Sequence, residues 1–182
     1  MDQETPSAQP LPDGWDERWE LLWRVRVSSF YHSKRERFLD GIDRAAKGAS
    51  ALGGAATFAA LKDQPGIGMA FAGAITLIST LSLVYGPSIK ARRHADLVKD
   101  FKRLEAEIVT CGISLTPEQI ASFEAKLSLL ESGEPAALGA LVTQCHNELA
   151  RALGRPELVT PLPFIHRVFK NWFDFDQSMV AS

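Results

Sequence analysis

The chain has 182 residues, enough for one domain of ordinary size or for a small membrane module with a soluble appendage. Its formal charge of -2 at pH 7 and its isoelectric point near 6.1 argue against a nucleic-acid-binding protein, which normally carries a strongly basic surface. Two cysteines, Cys111 and Cys145, are too few and too far apart for a disulfide framework, and we expect both as reduced thiols in the cytoplasm.

The chain opens with an acidic segment that contains prolines, residues 1–13. This segment has neither the basic start nor the apolar run of a signal peptide, so we predict a short disordered lead. Apolar residues then recur with helical spacing, which predicts an amphipathic cytoplasmic helix over residues 14–44. The spacing of Trp15, Trp19 and Trp23 favours a place in the core of a cytoplasmic bundle over a belt at the membrane interface.

The middle of the chain is apolar, and Lys62 and Asp63 are the only charged residues between positions 48 and 89. A proline and a glycine follow them closely, so two apolar segments flank a short polar turn. This pattern predicts one helical hairpin over residues 45–88, with helices at about 45–61 and 67–87.

The second segment of this hairpin is the stronger candidate for a membrane span. Residues 66–89 carry no charge over 24 positions, and about 20 helical residues cross a hydrocarbon core of about 30 Å. The alternative is a hairpin buried in a soluble bundle, because helices rich in alanine and glycine also occur in protein cores. So long an uncharged run, flanked by basic residues, is hard to bury in so small a domain, which favours the membrane.

The first segment, residues 45–61, has few large apolar side chains, so we expect it to gain little from insertion alone. Small residues recur every four positions on both helices, which lets helix backbones approach closely in lipid. Hydroxyls and a lysine on the first helix would face other subunits or water. The candidates for helix packing or for a pore lining are Lys47, Ser50, Gly53, Gly54 and Thr57 on the first helix and Gly66, Ala70 and Ala74 on the second.

Basic residues flank the hairpin on both sides, whereas its turn offers one lysine that an aspartate offsets. By the positive-inside rule, both termini face the cytoplasm, which predicts a multi-pass protein of the inner membrane. The residues that would set this topology or contact anionic lipid headgroups are Arg35, Arg37, Arg92 and Arg93.

The remaining chain, residues 89–182, is predicted to form a cytoplasmic helical region. Its last helix is expected over 164–175, where the spacing of Phe169, Trp172 and Phe173 again favours the bundle core. Period-2 alternation never runs far enough to outline a sheet. The predicted fold class is therefore all-α, a membrane protein with one two-helix transmembrane hairpin plus a cytoplasmic helical bundle.

Patterns that carry chemistry are scarce. The adjacent Cys145 and His146 point in different directions on a helix and do not have metal-ligand spacing. Glu105 and Glu107 lie on a charged helix and are expected to form a solvated face. No phosphate-binding loop, nucleophile elbow or zinc-protease motif is present. We therefore predict a protein that is not an enzyme and that has no cofactor and no metal.

Two short patterns flank the predicted hairpin: Tyr31-His32-x-x-Arg35 with Phe38 before it, and His94-Ala-x-Leu97-x-x-x-Phe101-x-x-Leu104 after it. With the small-residue hairpin between them, they resemble the SLATT group, two-transmembrane effector modules found beside nucleotide-second-messenger synthases and sensor domains in bacterial conflict systems. The resemblance covers roughly residues 15–110. It implies antiviral defence by a homo-oligomer that permeabilises the membrane, and a partner sensor or nucleotide-synthase system.

Three functions compete at this point. The leading hypothesis is a membrane-inserted effector that oligomerises and permeabilises the bilayer when a partner signals. The alternative is a membrane-anchored adaptor, in which the hairpin tethers a cytoplasmic bundle that binds another protein. The third is a soluble helical bundle with no membrane role.

Overall fold

The computed structural model describes residues 14–175 and is helical without strands over that range, which confirms the predicted all-α fold class. The predicted disordered lead, residues 1–13, lies outside the described residues, as do residues 176–182. The described helices are α1 (Trp15–Asp63), α2 (Pro65–Tyr85), α3 (Pro87–Thr110), α4 (Pro117–Ser132), α5 (Gly139–Ala152) and α6 (Phe164–Phe169), with a short 3-10 helix at Pro156–Leu158.

The first helix is longer than the sequence suggested. The predicted helices at 14–44 and 45–61 form one unbroken α1 of 49 residues, about 74 Å long. Glycines at positions 41 and 48 do not interrupt it, because contacts with α2 and α3 hold the helix on both sides of them. Helix α1 ends where Pro65 begins α2, so a single residue, Gln64, makes the turn of the hairpin.

Helices α2 and α3 meet at Gly86, which adopts a left-handed conformation with φ +60°. Only glycine reaches this conformation without strain, and Pro87 then starts α3 as its first residue. The second hairpin helix therefore ends at Tyr85, two residues before the predicted end. Both α2 and α3 pack along α1, so the two run in succession past one continuous helix.

We call the end of the molecule that holds the N-terminus of α1 its lower part. This part is a packed bundle. Its first core joins α1 to α3 and α4 through Leu21, Leu22, Val25, Phe101, Leu104, Ile108, Leu115, Phe123 and Leu127. Its second core joins α1 to α5 through Val27, Tyr31, Leu141, Cys145 and Leu149. Trp23 packs against this second core, as its helical spacing predicted.

The C-terminal aromatic residues are not in the bundle core, contrary to the sequence prediction. Phe169, Trp172 and Phe173 are all exposed. The physical reason is that α6 has only six residues after a stretch with three prolines, too short a helix to bury a long apolar face. A large apolar surface is left at the end of the described chain.

Candidate functional site: the apolar hairpin and its base

The upper part of α1 and the whole of α2 extend beyond the bundle as a hairpin without cover from the rest of the described chain. One helical stretch of the described chain, Pro65–Thr110, is long and apolar enough to cross a membrane, and only 6% of its most apolar window is buried. A core helix of a soluble protein would be mostly buried. The large apolar side chains exposed on the hairpin are Leu52, Phe58, Leu61, Ile67, Met69, Phe71, Leu77, Ile78, Leu81, Leu83 and Val84.

A narrow stripe on the first helix of the hairpin faces α2. Its members are partly buried and spaced four and three apart: Ala46, Ser50, Gly53, Thr57 and Ala60. This spacing is that of helices that cross at a small angle with interlocking side chains. Three of the predicted packing residues therefore lie in the helix–helix contact within one chain.

Close approach of the helices occurs at two glycines. A Cβ atom on Gly53 would lie 2.9 Å from the side chain of Ile75, and one on Gly68 would lie 2.9 Å from the side chain of Leu61. The Gly68 contact also involves the Leu61 backbone nitrogen at 3.1 Å, so a larger residue there could not be accommodated by a side-chain shift. Sequence reasoning missed Gly68, although its position near the turn in a Pro-Gly-Ile-Gly stretch was a visible signal.

The hydroxyl groups of the hairpin find partners within the chain. Ser50 Oγ lies 3.1 Å from Ser79 Oγ across the two helices. Thr57 Oγ1 donates to the carbonyl oxygen of Gly53 at 2.8 Å, within its own helix. These two hydroxyl groups of the first hairpin helix thus need no partner outside the chain.

The other predicted packing residues lie outside this contact. Nothing is found within 4 Å of a Cβ atom built on Gly54 or on Gly66. Ala70 and Ala74 are also exposed. Lys47 extends outward with its side chain 72% exposed, and its Nζ lies 2.6 Å from Asp43 Oδ2. In one chain these residues form part of an outer surface.

A polar groove opens where the hairpin joins the bundle. It has a volume of about 460 Å³ and lies between the first hairpin helix and the junction of α2 with α3. Its polar lining residues are Asp43, Lys47, Ser50, Ser79, Ser82 and Ser88. Asp43 is itself buried, and its carboxylate pairs with the outward-extending Lys47.

The four predicted topology arginines fall into two groups. Arg35 donates from Nη1 to the carbonyl oxygen of Asn171 at 2.9 Å, and Arg93 donates from Nη2 to that of Gly133 at 2.7 Å. These two hold the C-terminal segment and the α4–α5 loop against the helices. Arg37 and Arg92 are exposed around the base of the hairpin.

Beneath the hairpin, two buried histidines join α1 to α3. Their Nδ1 atoms lie 2.8 Å apart, so one of His32 and His94 must donate a proton and the other accept it. The ring of His32 stacks on Phe101. His32 Nε2 lies 3.2 Å from Glu134 Oε1, at an angle outside hydrogen-bond geometry. The sequence patterns contained both histidines, but nothing in them predicted this pairing.

The surroundings of His94 favour its neutral form at pH 7. Burial, followed by the nearby His32, Arg35 and Arg93, lowers the pKa of His94 to about 4. A hydrogen bond between two buried rings can fix the angle between the helices that carry them, here α1 and α3. It lies one to two turns below the start of α3, and so supports the hairpin from inside the bundle.

No family model, curated protein or solved structure matches this chain in the comparisons.

Proposed function

We propose that the protein is a membrane-inserted effector, whose hairpins assemble with those of other copies and permeabilise the inner membrane of a bacterium in a defence or conflict system. The observation that carries this proposal is an apolar hairpin that the rest of the described chain leaves uncovered. Soluble monomers rarely expose a contiguous apolar surface of more than a few hundred Å². Exposing apolar side chains to water costs free energy. In a bilayer, the outward side chains of α2 would contact hydrocarbon instead of water.

Assembly is supported by what the first hairpin helix turns outward. Between residues 45 and 61 the exposed positions are mostly alanine and glycine. Such a surface gains little from hydrocarbon, since each large apolar residue favours insertion by about 0.3–0.6 kcal/mol and alanine by less. Small residues do allow another helix to approach closely, where van der Waals packing drives association in lipid. A second copy of the hairpin would fit this surface.

Permeabilisation is supported by the polar groove at the hairpin base. Polar groups at the depth of a membrane are costly when they face lipid and are found where they line water or contact protein. Copies assembled through the first helix would bring several such grooves together. The defence context rests on the resemblance to the SLATT group, and the aromatic and histidine residues that carry that resemblance, Tyr31, His32, His94 and Phe101, lie in one buried cluster.

The test is dye release from vesicles of phosphatidylethanolamine and phosphatidylglycerol that contain the full-length protein. Gly54→Leu adds bulk where one chain leaves open space, so the hairpin should still form while copies are held apart. We expect several-fold slower dye release and fewer cross-linked oligomers. The matched control is Val84→Leu, which adds bulk at a position that already exposes a large apolar side chain and should release dye like the wild type. Unchanged dye release by Gly54→Leu would contradict assembly through the small-residue surface. The absence of dye release by the wild type would contradict permeabilisation.

The second candidate function is a membrane-anchored adaptor. It is favoured by the pairing of the Ser50 and Thr57 hydroxyls within the chain, because the polar side of the first helix then needs no other subunit. An anchor tolerates replacement of its hairpin by an unrelated one of equal length, whereas an effector does not. Full activity of a hairpin-swapped protein in cells would therefore support the adaptor.

A further inference from the structure

The C-terminal segment carries an apolar surface that the described chain does not cover. We name residues 164–173 the aromatic foot. Its large apolar side chains are between 44% and 76% exposed: Phe164, Ile165, Val168, Phe169, Trp172 and Phe173. Arg167 and Lys170 lie among them, so the segment combines aromatic rings with positive charge. Aromatic rings with interspersed basic residues are typical of segments that lie in a membrane interface.

The aromatic foot is held at a defined place on α1. The ring of Trp172 packs edge-on against Phe38 with centroids 5.1 Å apart. Arg35 donates to the carbonyl oxygen of Asn171. Asp174, directly after the foot, accepts a hydrogen bond from the backbone of Gly139 at the start of α5. The foot is therefore fixed beside residues 35–38 of α1.

The height of the membrane boundary follows from the length of the uncharged segment. Residues 66–89 comprise nearly all of α2 and the start of α3, and at about 1.5 Å per residue they rise about 36 Å, which is about 6 Å more than a hydrocarbon core. If the core begins at the turn of the hairpin, its lower boundary lies between Tyr85 and Ile89. Lys90 follows directly, with its Nζ 3.6 Å from the centre of the Tyr85 ring.

The same boundary can be placed on α1. Ser50 faces Ser79 across the hairpin, and the two helices rise equally per residue. The boundary therefore crosses α1 between Asp40 and Arg44. Phe38 lies two to six residues below it, about 3–9 Å. A headgroup layer is about 5–8 Å thick on each side of the core, so the foot lies at the height of the headgroups.

We propose that the aromatic foot docks into the headgroup layer of the same anionic leaflet that receives the lower end of the hairpin. Its rings would enter the boundary between headgroups and acyl chains, and Arg167 and Lys170, together with the exposed Arg37 and Arg92, would meet lipid phosphates. The inference rests on the membrane insertion in the proposed function, but not on assembly or permeabilisation.

Charge favours lipid over a second copy as the occupant of this surface. A second copy would bring its own arginines and lysines to the same contact, and like charges placed together are unfavourable. An anionic lipid surface instead offers the opposite charge, worth about 1 kcal/mol for each basic residue near it.

The test uses tryptophan fluorescence of the full-length protein in vesicles of phosphatidylglycerol and phosphatidylcholine whose acyl chains carry bromine near the headgroup. Bromine quenches only those tryptophans that reach the lipid. The chain has four tryptophans, and Trp15, Trp19 and Trp23 lie in the bundle, more than 20 Å below Phe38 by the rise of a helix. We expect Trp172→Phe to lose most of the quenching that the wild type shows. The control Trp19→Phe should keep it.

The outcomes separate the foot from the proposed function. Bromine quenching that is equal in wild type and Trp172→Phe, in protein that floats with the vesicles after an alkaline carbonate wash, overturns the foot and leaves insertion standing. Trp172 emission that is protected from both bromine and aqueous acrylamide also overturns it, because a second copy or another protein then covers the ring. If the protein does not float with the vesicles, both membrane insertion and docking of the aromatic foot are contradicted. Quenching that disappears without phosphatidylglycerol supports the role of the basic residues.

Discussion

The two halves of α1 lie in one unbroken helix and yet have opposite surroundings. Every buried residue of α1 lies at or before Asp43, and beyond it the helix buries none. The lower half has an amphipathic pattern, and its apolar side chains fill two cores. The upper half is rich in alanine and glycine, and it contacts α2 through a narrow stripe.

Under the proposed membrane insertion, the two halves of one helix would lie in two different solvents. An amphipathic stripe suits a helix in water, where one face is buried and the other hydrated. A helix that is apolar on all sides must be covered on all sides, by protein or by lipid. Since the described chain covers the upper half only on the side that faces the rest of the molecule, the proposed insertion into a bilayer would cover its remaining apolar surface.

The largest expected effect is a contrast in stability between the two regions. Leu141 is 0% exposed in the second core and Leu83 is 83% exposed on the hairpin. Leu141→Ala should reduce the free energy of unfolding by about 2–5 kcal/mol, because it removes buried contacts and leaves a cavity. The same substitution at Leu83 should leave the bundle unchanged. The measurement is thermal unfolding in detergent, monitored by near-UV circular dichroism. Equal losses of stability in the two variants would contradict the contrast between a packed bundle and an uncovered hairpin.

The next effect concerns His94, which lies beneath the hairpin. Because the pKa of His94 is about 4 in the folded protein and near 6.5 when unfolded, the unfolded state binds more protons below pH 6.5. Stability should be fully present above pH 6.5 and decline as pH falls towards 4, by at most about 3 kcal/mol. Between pH 6.5 and 5 the ordinary carboxyl groups do not yet titrate, so this window isolates the histidines.

The control for this pH dependence is His94→Gln, whose amide can still pair with His32 but does not titrate in this range. The unfolding midpoint of this variant should depend less on pH than that of the wild type. Burial also lowers the pKa of His146, which accepts a hydrogen bond from Trp23 Nε1, so a smaller decline of the same sign should remain. If the unfolding midpoint of His94→Gln fell with pH as much as that of the wild type, groups other than His94 would be its cause.

A smaller effect distinguishes two adjacent glycines on the first hairpin helix. Gly53→Leu should strain the contact with Ile75 by about 1–3 kcal/mol, whereas Gly54→Leu should leave the hairpin intact. Ser50→Cys with Ser79→Cys supplies a reporter, because the two hydroxyls already touch. We expect this disulfide to form in the Gly54→Leu protein and to form more slowly in the Gly53→Leu protein.

The two native cysteines interfere little with that disulfide experiment. Cys111 is replaced by serine, and burial raises the pKa of the Cys145 thiol to about 12, which keeps it protonated and slow to react. Equal disulfide yields in both glycine variants would show that the close approach at Gly53 does not hold the hairpin together.

The sequence predicted the parts of this structure that depend on local chemistry. Lys62, Asp63 and the proline after them marked the turn, and the missing charges between positions 66 and 89 marked the apolar helix. The contact stripe was not predictable, because small residues occupy nearly every position of the first helix and no face stands out by period. The pairing of His32 with His94 joins residues 62 apart in the chain, and it depends on how α1 and α3 cross.

The most direct test of the central claim, that the hairpin crosses a bilayer with the bundle in the cytoplasm, is thiol labelling in intact cells. Gln64 forms the turn of the hairpin, and Cys111 lies at the end of α3 in the bundle. With a membrane-impermeant reagent outside the cells, we predict that Gln64→Cys is labelled while Cys111 is labelled only after lysis, and that the buried Cys145 stays unlabelled in the folded protein. Labelling of Cys111 with a silent Gln64→Cys would contradict the orientation, and recovery of the protein in the soluble fraction after an alkaline carbonate wash would contradict the membrane itself.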